Sequence, residues 1–362
     1  MSELREFYTL SNGVKIPKIG FGTWQLPADI AEETVLAALE TGYRHIDTAA
    51  AYGNEIGVGA GILKSGLPRR EIFVTTKIPA EIKTYEGAKK SIEDSLAALK
   101  IGYIDLLLIH APKPWAEMHG GGTEPHYEEN VAVWKAMEEA YNAGMVRAIG
   151  VSNFQRDDLE NIFVRCAVKP QVNQIKAHIG NYPSELVEFC RENNMLAEAY
   201  SPIATGRLLR EEKIISVAKK YGVSVPRLCV KYLLQKGVLP LPKTTHRDYM
   251  EQNAATDFTV LAEDMKTLDG ITAASCKLID LPNIGEELDR QLKSIGINVY
   301  EQLSETGAKA AWLKILAVDS SACYHRLAAL EGALRGIKKE DLPTAVKEDL
   351  KAFVREYKGR DN

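Results

Sequence analysis

The 362-residue sequence predicts an α/β protein, a (β/α)8 TIM barrel followed by a small all-α, helix-hairpin-helix-like domain. Three observations point there. Strand-like and helix-like segments alternate up to about residue 270, as a parallel α/β fold requires. Polar side chains close several apolar strand-like runs, and in a barrel the strand ends converge on one mouth. The chain is longer than the about 250 residues of a typical barrel, and its texture changes near Lys277.

The elements can be justified in order. Residues 9–17 place Asn12-Gly13 between apolar alternations, which predicts a hairpin with a tight primed turn. Strands are then expected to end near Trp24, Asp47, Lys77, His110, Ser152, Gln174, Ser201 and Lys243, with helices between them, among them 86–99 and 131–143. Residues 113–122 break the rhythm directly after the His110 strand and contain Pro114, Trp115 and three glycines. Loops after barrel strands shape the mouth, so Trp24 and Trp115 are candidate walls of a substrate pocket. The plainer reading is that both cover the barrel rim. Beyond Lys277, Leu281-Pro282-Asn283-Ile284-Gly285 begins a helical hairpin, and 308–317 and 323–334 carry a helical period. The expected division is a barrel over 1–275 and a helical domain over 276–362.

Net charge is −4 and the sequence pI about 6.1, so no long-range field draws the chain to nucleic acid or anionic membrane. Cys166, Cys190, Cys229, Cys276 and Cys323 are scattered, with no CxxC and no close Cys/His pairing. Free thiols in a reducing compartment fit that pattern, and no metal site is expected. The N-terminus lacks the charged-then-apolar pattern of a signal peptide, and no apolar run reaches the ~18 residues of a membrane span. A soluble, cytoplasmic protein is expected.

Asp47, Tyr52, Lys77 and His110 carry the chemistry. Each alone is an ordinary strand-end polar residue. Together at one barrel mouth they can move a proton to or from a carbonyl or alcohol oxygen. Tyr has an ordinary pKa near 10, and a neighbouring ammonium favours its phenolate. Asp47 would hold Lys77 in place and charged. His110 would orient the substrate oxygen, and Tyr52 would be the proton donor.

Gly42-Tyr43-Arg44-His45-Ile46-Asp47-Thr48-Ala49, followed by Tyr52 and Asn54-Glu55, resembles the first signature of the aldo-keto reductases. Ala148-Ile149-Gly150-Val151-Ser152-Asn153-Phe154 resembles their central signature, and Leu241-Pro242-Lys243-Thr244-Thr245 the start of their third. The resemblance implies a TIM barrel, carbonyl reduction by the Tyr, Lys, Asp and His tetrad, and NADPH or NADH bound without a Rossmann fold; no G-x-G-x-x-G follows an early strand. It implies further that Ser152, Asn153 and Gln174 hydrogen-bond the nicotinamide carboxamide and that Tyr200 stacks on its ring. Ser201, Ile203 and Thr205 would cradle the pyrophosphate, with Arg207 nearby. Lys243, Thr244 and Thr245 would lie near the adenosine ribose and its 2′-phosphate, and Gln252 and Asn253 near adenine. The chain departs from the family where Tyr249 replaces the usual Arg and Gln252 the usual Glu. Losing that guanidinium removes a bidentate phosphate partner, so NADPH is favoured only modestly and NADH stays open. Relatives that reduce a carbon–carbon double bond beside a ketone carry Glu in place of His110.

Residues 277–355 resemble the C-terminal domain of TfoX, a bacterial competence regulator, through Leu281-Pro282-Asn283-Ile284-Gly285, Gly296-Ile297, Ala311-Trp312-Leu313, Ser321-Ala322-Cys323 and Leu330-Glu331-Gly332-Ala333-Leu334. Helix-hairpin-helix turns can bind phosphate backbones through helix N-termini. From residue 277 onward 14 Lys+Arg face 14 Asp+Glu, which argues against nucleic acid and for a protein partner, with a spacer or oligomerisation role as the other reading. The leading function is NAD(P)H-dependent reduction of aldehydes and ketones. The alternative is a nicotinamide-nucleotide redox sensor that signals through the helical domain.

Overall fold

Eight parallel strands follow one another round a single sheet in chain order, each neighbour paired to the next. They are β3 (Phe21–Gly22), β4 (His45–Asp47), β5 (Phe73–Ile78), β6 (Leu106–Ile109), β7 (Ile149–Ser152), β8 (Val172–Lys176), β9 (Leu196–Tyr200) and β10 (Leu239–Leu241). Backbone bonds from Gly20 N to Pro240 O (3.1 Å) and from Gly22 N to Pro242 O (3.0 Å) join the two ends, so the sheet closes into a barrel. The computed structural model describes residues 3–120, 124–271, 278–335 and 337–358.

The barrel sorts its side chains by the two-residue period of a strand. In β6, Leu106 and Leu108 belong to a cluster with Phe73, Ala148, Val172 and Leu239, while Leu107 and Ile109 pack outward with Ile92, Val133 and Trp134 of the helical layer. The interior is tight. A Cβ on Gly150 would lie 2.5 Å from Val172 O and 2.8 Å from Leu108 Cδ2. Helices Tyr85–Leu99 and Tyr127–Asn142 lie within a few residues of their expected bounds. All eight strands end within three residues of their expected ends.

Before the barrel, β1 (Phe7–Thr9) and β2 (Lys15–Pro17) form an antiparallel hairpin. Its Leu10 and Ile16 join Phe73, Leu106 and Leu239 at the starts of the strands, and so plug the barrel floor. The turn differs from the tight primed turn expected. Leu10 N donates to Val14 O, so Ser11, Asn12 and Gly13 make a three-residue loop. Gly13 takes the left-handed position (φ 84°), where a Cβ would be strained. Residues 113–122 are only partly loop: Trp115–Gly120 is a short helix, and 121–122 lie outside the described residues.

The chain divides into two compact units, Met1–Thr272 and Ala273–Asn362. The expected boundary at 275/276 lies outside the described residues. The second unit is helical, with Glu286–Ser294, Tyr300–Thr306, Ala308–Val318, Tyr324–Arg335 and Thr344–Lys358. It has a core of its own around Trp312, which is wholly buried and donates its indole N–H to Cys323 O at 3.1 Å. The Pro-x-x-Gly turn is held from within the unit: Asn283 donates to Ile337 O (2.9 Å) and accepts from Lys339 N (3.0 Å). Cys166, Cys190, Cys229 and Cys323 are free thiols, and Cys276 lies outside the described residues. Among the described residues no helix is long and apolar enough to cross a membrane.

Candidate active site

Strand parity brings the polar residues to one place. In β5, Val74, Thr76 and Ile78 point to the helices, so Lys77 points inward; in β4, Ile46 points out and Asp47 in. Lys77 is 1% exposed, and its ammonium donates to Asp47 Oδ1 (2.8 Å), Asp47 Oδ2 (2.9 Å), Thr48 O (2.8 Å) and Tyr52 Oη (3.4 Å). Tyr52 closes a short 3-10 turn, Ala50–Tyr52, just beyond β4. Its ring meets His110 edge-on at 5.5 Å, and His110 meets Trp115 edge-on at 5.2 Å. Asp47, Tyr52, Lys77, His110 and Trp115 thus converge. Trp24 is 43% exposed, two residues beyond β3. Asn54 ties the Trp24 loop to the Tyr52 loop: it donates to Thr23 O and Leu26 O, both at 3.0 Å, and accepts from Thr48 Oγ1 at 2.9 Å.

Burial and charge compete at these groups. Burial alone would lower Lys77, but Asp47 and Tyr52 outweigh it and hold the ammonium above its ordinary range. For Tyr52 burial dominates and raises the phenol, while Lys77 pulls it back part of the way. The net direction is therefore opposite to what a neighbouring ammonium alone would give. Burial, with Lys77 adding to it, pushes His110 down to about 3, so its imidazole is neutral at working pH.

The residues expected around a nicotinamide are also knitted together. Ser152 Oγ donates to Gln174 O (2.9 Å), Asn153 Nδ2 to Ser152 Oγ and His110 O (both 3.0 Å), and Tyr200 Oη to Asn153 Oδ1 (2.8 Å). Asn153 is held in a left-handed conformation (φ 63°). Gln174 turns its amide down to Asp47 Oδ2 (2.8 Å) and to Glu198 Oε2 (2.9 Å). The loop carrying Ser201, Ile203 and Thr205 has positive φ at Ser201, Ala204, Thr205 and Gly206. Lys243 and Thr245 are exposed and Thr244 half-buried, just past β10; Gln252 is exposed and Asn253 buried on helix Arg247–Ala254. Tyr249 is 54% exposed and edge-on to His246 at 5.3 Å, while Arg247 pairs with Glu40 at 2.8 Å. Reading strand ends alone missed Glu198. Its signal was the two-residue period, which puts it on the same face as Tyr200.

Residues 18–273 match the aldo/keto reductase family. The chain belongs to the aldo/keto reductase family. This aldo/keto reductase is 38% identical over 272 residues to the glyoxal reductase of Bacillus subtilis (strain 168), which covers 75% of this chain and 94% of that protein. An aldo/keto reductase structure from Brucella melitensis matches with a TM-score of 0.68 at 35% identity, over 73% of this chain and 98% of that one. A Bombyx mori aldo-keto reductase solved in complex with NADP matches with a TM-score of 0.66 at 29% identity, over 74% and 92%. Residues 274–354 match the TfoX C-terminal domain, so this aldo/keto reductase is a fusion of the two.

Proposed function

We propose that this aldo/keto reductase reduces aldehydes and ketones to alcohols at the expense of a reduced nicotinamide nucleotide, with Tyr52 as proton donor. The observation that carries the reading is the buried Lys77 ammonium, clamped by Asp47 and 3.4 Å from Tyr52 Oη. The neutral His110 orients the carbonyl oxygen by donating an N–H. Tyr52, protonated across neutral pH, gives its proton to that oxygen. The phenolate left behind faces Lys77, and Asp47 keeps that ammonium charged.

Ser152, Asn153, Gln174 and Tyr200 would hold the nicotinamide, which supplies the hydride when bound. Ser201, Ile203 and Thr205 would hold the pyrophosphate. Positive φ at Ser201, Ala204, Thr205 and Gly206 turns the chain tightly there, and Ala204 N and Gly206 N close the turns on Ser201 O (2.8 Å) and Ile203 O (3.1 Å). Lys243, Thr244, Thr245, Gln252 and Asn253 would hold the adenosine end. Lys243, exposed just past β10, would supply one charge to a 2′-phosphate, and Arg247, in a solvent-exposed pair with Glu40, or His246 could swing in beside it. NADPH is therefore preferred modestly, and NADH is accepted.

The likeness to a glyoxal reductase makes small dicarbonyls the first substrates to try. Nucleotide oxidation with glyoxal, methylglyoxal, keto-sugars and aromatic aldehydes, under both nucleotides, tests the reading. Nucleotide binding without turnover on any carbonyl would overturn it and favour a redox sensor. An enone tests the reaction type. With His110 present, the expected product is the allylic alcohol; a saturated ketone as the main product would contradict the role given to His110.

We also propose that the barrel works as a domain of its own. Its tetrad and strands precede residue 272, and the helical unit has a separate core. A chain ending near Ala274 is expected to fold, bind NADPH in a fluorescence titration and turn over. An insoluble product, or one that binds no nucleotide, would make the helical segment part of the barrel's fold.

A further inference from the structure

Glu198 has no part in the reading above. It sits in β9, wholly buried, directly opposite Gln174 in the parallel register. One amide nitrogen, Gln174 Nε2, donates to both Asp47 Oδ2 (2.8 Å) and Glu198 Oε2 (2.9 Å). Lys77 directs its ammonium to Asp47, Thr48 and Tyr52. Among the described residues no hydrogen bond reaches Glu198 Oε1. An ionised carboxylate sealed from water with one neutral donor is costly, whereas a neutral acid there loses little. Burial, with the charge of Asp47 adding to it, pushes the Glu198 carboxyl up to about 8.

We propose that Glu198 is a positioning residue for the proton transfer: a neutral carboxylic acid that anchors the Gln174 amide on Asp47 and, through Asp47, holds Lys77 toward Tyr52. The proposal rests on the reductase reading and deepens it. Asp47 faces Glu198 from β4 and Lys77 from β5, with Tyr52 and His110 above them; β10 offers only Leu239, Pro240 and Leu241. If Glu198 ionises, two carboxylates share one amide. The second negative charge then disfavours the phenolate that Tyr52 becomes when it gives up its proton. Ionisation of Glu198 accordingly sets the alkaline limb of turnover.

Glu198→Gln and Glu198→Leu test this in the full chain. The folded-state pKa of Glu198 lies above its unfolded value. Its contribution to stability is therefore present below the ordinary glutamate range and lost as pH rises to about 8. The Tm of Glu198→Gln minus that of the parent should climb across this window and level off above it. A constant difference overturns the neutral acid. In turnover, Glu198→Leu removes the acceptor and should lower kcat about fivefold with KM little changed. Glu198→Gln should recover most of that loss and move the alkaline limb upward. An alkaline limb identical to the parent's overturns the positioning role. If no carbonyl is reduced by the parent, the reductase reading fails while the Tm comparison still decides the state of Glu198. Should Glu198→Gln not fold, infrared titration of the parent replaces it. A protonated carboxyl band lost with a midpoint near 8 supports the proposal, and no acid titrating between about pH 6 and 9 overturns it.

Discussion

Tyr52→Phe is expected to lower carbonyl turnover at least ~100-fold, the scale of a lost general acid, while NADPH binds as before. The substitution removes one oxygen and leaves the ring in place, still edge-on to His110, which in turn stays edge-on to Trp115. Pocket shape is therefore kept, and the loss should fall on kcat more than on KM. Burial holds the Tyr52 phenol above its ordinary range, so the parent keeps its proton donor loaded through neutral pH. Steady-state nucleotide oxidation measures the loss, and fluorescence titration shows that the nucleotide site survives. Turnover within a few-fold of the parent would remove Tyr52 from the role of acid.

Much of this site was legible in the sequence, because barrel geometry converts strand ends into neighbours. Asp47, Lys77 and His110 close apolar runs, and those runs became β4, β5 and β6 with the expected side chains turned inward. Other features depended on contacts that no strand end reveals. Glu198 lies two residues inside β9, and its importance comes from sharing an amide with Asp47, 151 positions earlier in the chain. The charge pair with Lys77 taken alone predicts a lowered Tyr52 phenol, whereas burial, a tertiary property, outweighs it and raises the phenol. The hairpin turn shows the same limit locally. Asn12-Gly13 marks a turn, but the register set by packing Leu10 and Ile16 into the barrel floor made it three residues long.

Lys77→Met is expected to reduce turnover by a similar factor, and also to destabilise the fold. The ammonium faces both oxygens of Asp47 inside the barrel, 1% exposed. Removing it leaves a buried carboxylate with no cation, a loss of about 3–5 kcal/mol where such pairs are broken. Loss of activity in this variant alone cannot separate a missing charge from a loosened site. The double variant Asp47→Asn/Lys77→Met does, since it removes both charges together. Thermal unfolding should show most of the lost stability restored in the double variant. Turnover should stay low, because the Tyr52 phenolate would still form without a cation beside it. If turnover returned with stability, Lys77 would be a structural partner of Asp47, and the proton donor would owe nothing to its charge.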